Sequence, residues 1–253
     1  MRKNNLFILK IWIPVILAFV LLLILLIHAD AIVYAAAAAS VPFIFILRKV
    51  LWSGMNKDIS KALQSETSEA LIHTLTKPLK KQTNEKIKQA FLAYHTALPY
   101  VLYGEYEKAE KTMSEVDWEG VEPLYRTVDL NIKSLIHYFT GEIHSGISNA
   151  RKAAASSTPS KLFPGVNKSN EFQEMFVEIG QVLYGFQSEK IIHSLEMKFT
   201  KLPLLTQLIL AWTLMNVYQQ EKETAKYEKM KTFCETHAPH CKSLKPLYNE
   251  GQD

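Results

Sequence analysis

Both cysteines of the chain fall in one short stretch, "CETHAPHC", from Cys234 to Cys241, with two of its eight histidines between them. Thiolates and imidazoles are ordinary zinc ligands, and four stand here. Cys234 and His237 are three apart, so a helix sets them on one face, and Pro239 ends that helix. His240 and Cys241, being adjacent, do not easily point to one centre. Structural zinc sites also draw ligand pairs from separated segments. The expectation is no metal centre, with Cys234, His237, His240 and Cys241 as weak candidates only. A Cys234–Cys241 disulfide fits sterically but needs an oxidising compartment. The plainer reading packs Cys234 in the last helix and leaves Cys241 in a tail.

Other chemistry is sparse. The chain has no Gly-rich phosphate loop, G-x-S-x-G elbow or H-E-x-x-H pair. Glu105, Glu107 and Glu110 open a helix, where acids complement the dipole. His137 and His144 straddle Gly141 and could approach one another, without a carboxylate or thiol partner. His193 and Glu196 are an i, i+3 pair. Asn167 stands in an N-K-S glycosylation pattern, irrelevant in a cytoplasmic domain. No enzyme and no cofactor are expected.

The elements that must position these residues begin with two uncharged apolar runs, 11–27 and 31–47, separated by His28, Ala29 and Asp30. Each matches the short end of a membrane-spanning helix. Ala31, Ala35 and Ala39 share a helix face suited to close packing. Trp12, Tyr34 and Trp52 lie near the segment ends, where aromatics favour the interface. Arg2, Lys3 and Lys10 precede the pair and Arg48 and Lys49 follow it, while the turn has no basic residue. The expectation is a transmembrane hairpin over 1–52, integral to the plasma membrane, with both termini cytoplasmic. A cleaved signal ending at Ala29-Asp30-Ala31 is the rival, but the apolar run is long for one and a second follows.

Those first fifty-two residues carry five Lys/Arg and one acid, which accounts for the whole formal charge of +4. The remainder is balanced, so the basic pI reflects no nucleic-acid surface. From Ser53 onward apolar residues recur at helical spacing, as in Ile87, Phe91, Tyr94 and Leu98, and strand alternation is not sustained. The fold class expected is all-α. A connecting amphipathic helix is expected over 53–82, a helical domain over 83–241 and a tail over 242–253.

The helices pair. Second helices are expected near Glu105, Glu142, Gln187 and Glu221, at intervals typical of stacked helical hairpins. "SSTPSKLFPG", from Ser156 to Gly165, reads as an inserted loop. In the first pair Ala97, Tyr100, Gly104, Tyr106 and Ala109, and in the second Ser134, Gly141, Gly146 and Ala153, place small residues where helices cross and turn. The chain here resembles the tetratricopeptide (TPR) family, from about Thr83 to Thr236. It departs at His137 and Ile143. The third pair keeps Gly185 but has Glu178 and Lys190 at small positions, and the fourth offers Ala225. A plain helical bundle with ordinary glycine stops is the alternative.

The resemblance implies an α-solenoid of about four helix pairs that binds a peptide or helix of a protein partner in a concave groove lined by first helices. Tyr94, Tyr100, Tyr125 and Asn131 are its candidate contacts. The function expected is a membrane-anchored scaffold or assembly factor. The alternative is an integral-membrane subunit whose hairpin packs in a larger complex.

Overall fold

A computed structural model describes residues 54–119, 121–156, 164–186 and 188–247, together with 17, 18 and 20. The chain divides into two compact units, 1–55 and 56–253. Of the first, the described residues are 17, 18, 20, 54 and 55, all helical, with Leu17 and Val20 exposed.

Among the described residues every regular element is a helix. A helix over 54–62 (α1) is followed by α2, Glu69–Thr76, which runs on into a 3₁₀ helix, Lys77–Lys81. Then come α3 (Glu85–Tyr103), α4 (Tyr106–Ser114), α5 (Pro123–Phe139), α6 (Ile143–Ser156), α7 (Pro164–Leu183), α8 (Glu189–Phe199), α9 (Leu204–Gln220) and α10 (Thr224–His237). A second 3₁₀ helix, Lys242–Leu244, closes the described part. The stretch 53–82, read as one connecting helix, thus holds two helices and a 3₁₀ helix. Leu63 and Leu71 in it are fully buried.

Local sequence sets the boundaries. Asn84 caps α3 by accepting from the Ile87 amide at 3.2 Å. Pro123 sits at the start of α5, where its missing N–H leaves no bond unmade. Gly104, Gly141 and Gly185 turn the first three pairs at φ of 79°, 81° and 96°. That left-handed conformation carries no Cβ penalty in glycine. The fourth turn puts Lys222 at φ 59°, a strained choice for a residue with a side chain.

Pairing follows chain order, with α3 on α4, α5 on α6 and α9 on α10. The seventh helix rests more on α6 than on α8, so the stack continues from one pair into the next. The first helices α3, α5, α7 and α9 also touch in series. Between α5, α6 and α7 lies Tyr138, fully buried, with its hydroxyl donating to the Phe176 carbonyl at 2.9 Å. Gly146 and Gly180 make room for that ring: a Cβ on either would overlap it.

The ninth helix is the centre. Every residue from Leu208 to Tyr218 is buried, so α9 has no solvent face along those eleven positions. Phe139 of α5 packs edge-on against Trp212, ring centroids 4.4 Å apart. Beyond α10 the chain folds back, and Ser243 Oγ donates to the Val101 carbonyl of α3 at 2.6 Å. What was read as a tail therefore joins the last pair to the first.

The transmembrane hairpin, and with it the integral-membrane localisation with cytoplasmic termini, is corrected. Among the described residues no helix is long and apolar enough to cross a membrane. The segments 11–27 and 31–47 that carried the expectation lie outside the described residues, except for 17, 18 and 20. The most thoroughly buried described helix, α9, uses its apolar surface inside the protein core.

The packing around Tyr138 is directly testable. Gly180→Ala sets an overpacking cost at the upper end of about 1–3 kcal/mol against the ~1 kcal/mol that alanine gains in a helix, so unfolding free energy should fall by up to about 2 kcal/mol. Urea unfolding measures it, and an unchanged or raised midpoint would contradict this packing.

Candidate functional site

The middle of α3 carries Phe91, Tyr94 and His95, all half-buried. Phe91 and His95 are one turn apart on one face. Their rings lie 6.2 Å apart with a 24° interplanar angle. Tyr94 meets His95 edge-on at 5.1 Å. From α5, Tyr125 meets Phe91 edge-on at 5.7 Å. Two first helices thus build one aromatic cluster with part of its surface open, at separations where such pairs attract. It contains two of the four expected contacts, Tyr94 and Tyr125. Of the two residues that join them, Phe91 read in the sequence only as helical periodicity, and His95 was not singled out.

The other two expected contacts lie elsewhere. Tyr100 is under the Lys108 ammonium, 5.4 Å from the ring centre. Asn131 is 2% exposed, and its Oδ1 accepts no hydrogen bond. On α7, Gln173 is similarly buried with Oε1 unsatisfied, although its Nε2 donates to Thr127 of α5 at 3.4 Å. An unsatisfied buried acceptor costs free energy that an incoming donor removes.

The electrostatics of the cluster follow from burial. His95 Nδ1 is buried without a hydrogen-bond partner. Burial of the ring pushes its pKa down to about 4, so it is neutral near pH 7. Burial also pushes the Tyr94 phenol up to about 12. One turn on from His95, Pro99 has no N–H to donate to the His95 carbonyl. The cluster is therefore aromatic and uncharged near pH 7, with the buried His95 Nδ1 unpaired.

The residues expected to shape the pairs are placed as follows. Ala97, Ala109 and Ser134 are fully buried, Gly146 packs against Tyr138, and Gly104, Gly141 and Gly185 sit in the turns. The Tyr106 hydroxyl lies 2.7 Å from Ser243 Oγ. His137 and His144 take different partners: Glu142 at 2.9 Å, and the Tyr184 ring with centroids 4.3 Å apart.

The Cys/His stretch is not drawn to a centre. Cys234 and Cys241 are buried free thiols. The His237 ring packs on Phe233 at 4.5 Å, and His240 is exposed. Among the described residues no group of three or more His, Cys, Asp or Glu is placed to hold a metal. Burial pushes both thiols up to about 12. Cys241 feels Cys234 as a further raising influence, and a hydrogen bond with Tyr103 as a lowering one.

Two measurements check these environments. Native Cys234 and Cys241 should resist a maleimide at pH 8 and react fully on unfolding; rapid native labelling would contradict their burial. Folded His95 titrates below its ordinary 6.5, so the unfolded chain takes up the proton first as pH falls. Stability is intact above pH 6.5 and is lost towards pH 4, by about 2–3 kcal/mol at most from this residue. His95→Phe should remove that part of the loss between pH 7 and 4 in urea titrations. An identical pH profile in the variant would contradict it.

Comparison with family models, with curated proteins and with solved structures finds no match to this chain.

Proposed function

We propose that the chain is a non-enzymatic protein-binding domain, a TPR-like array of helix pairs that scaffolds or assembles a complex. Its first-helix face receives a peptide or helix from a protein partner. One observation carries this reading: Phe91, Tyr94, His95 and Tyr125 form a half-open aromatic cluster across α3 and α5. Aromatic anchors in partly open pockets are the usual centres of binding energy in protein interfaces. Helix pairs stacked in series suit this task, because they offer an extended surface on a rigid frame.

Site-specific photocrosslinking in the native host tests it. A benzophenone amino acid in place of Tyr94 or Tyr125 should yield one discrete protein adduct. The same group at exposed Glu228 on α10 should not. Phe91→Ala should lower the yield at Tyr125 about tenfold, as loss of an interface anchor does. Equal yields at all three positions, or none, would contradict the proposal.

A further inference from the structure

The segment after α10 is held as a bound peptide is held. Cys241 and Lys245 have extended backbone, with ψ of 97° and 155°, on either side of the short 3₁₀ turn. Two side chains of α9 reach the main chain of this segment. Trp212 Nε1 donates to the Lys245 carbonyl at 2.9 Å, and Asn216 Oδ1 accepts from the Leu247 amide at 2.8 Å. Asn216 is fully buried, and its Nδ2 is fixed on the Trp212 carbonyl at 2.8 Å. Its oxygen is therefore aimed in advance at a main-chain N–H, which lowers the cost of binding one.

Side chains complete the fit. Ser243 Oγ donates to the Val101 carbonyl at 2.6 Å, which leaves the Tyr106 hydroxyl, 2.7 Å away, to donate to Ser243. Leu244 is 4% exposed, whereas Lys242 and Lys245 face solvent. Gly104 lets the segment come close: a Cβ there would stand 3.3 Å from Lys242 Cβ. Val101 belongs to α3, and Trp212 and Asn216 to α9, the first helices of the first and last pairs. The join to α10, at Pro239 and His240, is exposed.

We propose that residues 241–247 are an intramolecular ligand of the first-helix face, displaced by a partner segment of the same chemistry. That chemistry is a hydroxyl residue followed by leucine, then an extended stretch with proline, flanked by basic residues. The inference rests on the reading of this face as a protein-binding surface and names the partner's chemistry. In the resting chain the segment occupies the end of the face formed by the C-terminal part of α3 and by α9. The aromatic cluster lies at the middle of α3, against Tyr125 of α5.

The test uses the full chain with a protease recognition sequence inserted between Pro239 and His240. After cutting, a fluorescent peptide of residues 241–247 is titrated in and followed by anisotropy, with circular dichroism reporting the helices. The expected result is saturable uptake with helicity retained. Asn216→Ala in the chain and Ser243→Ala in the peptide should each weaken uptake about tenfold. No uptake by a cut chain that stays helical, or collapse of the helices on cutting, would overturn the proposal by making the segment an inseparable part of the core. The crosslinks from Tyr94 and Tyr125 are read separately. Their absence beside normal peptide uptake would sink the binding-domain reading and not the segment's exchange.

Discussion

A helix buried on every side needs neighbours on every side, and the arrangement of this domain follows from that demand. The stretch from Leu208 to Tyr218 exposes no residue, and α7, α8, α10 and the C-terminal 3₁₀ helix all touch α9. Each large apolar side chain enclosed there contributes about 1.5–3 kcal/mol relative to exposure. The polar residues in the same stretch must be satisfied internally. Thr213 returns its hydroxyl to the Ile209 carbonyl at 2.9 Å. Asn216 has its amide nitrogen on Trp212 and needs a donor for its oxygen, which the Leu247 amide supplies. The path of the C-terminal segment is thus set by one buried asparagine and one buried tryptophan.

That path links the two ends of the array. Through Ser243 it reaches Val101 and Tyr106, and the Gln64 side chain donates to the Thr236 carbonyl at 3.0 Å from the other direction. Tyr103 adds a bond to the Ser65 carbonyl at 2.9 Å. The residues between α1 and α2, the end of α3 and the end of α10 are held together by side chain to main chain hydrogen bonds. Such bonds are worth about 1 kcal/mol each when made and more when one partner is left buried without the other. The C-terminal end of α3 is therefore tied, while the aromatic cluster lies near the middle of the same helix.

The sequence was most legible where structure is local. Gly104, Gly141 and Gly185 marked turns because a left-handed residue strongly favours glycine. The fourth turn was fainter because Lys222 adopts that conformation without the glycine that would have announced it. Contacts made over long separations left no trace in periodicity: Ser243 meets Val101, and Trp212 meets Lys245, so residues after His240 read as a tail. The aromatic cluster was half legible: Tyr94 and Tyr125 were expected on first helices lining a groove, Phe91 counted only towards helical periodicity, and His95 carried no signal of its own. The apolar runs at 11–27 and 31–47 satisfied a rule of length and hydropathy alone. No described helix supports a membrane span.

Hydrogen–deuterium exchange resolved by segment tests the central claim, that α9 is the core on which the other elements close. Amides from Leu208 to Tyr218 should exchange only through global unfolding, the last in the domain to do so. The segment 241–247 should open at lower free energy while α9 stays protected. Exchange of α9 ahead of α4 or α10 would contradict the account, because a helix enclosed on every side cannot open before the helices that enclose it.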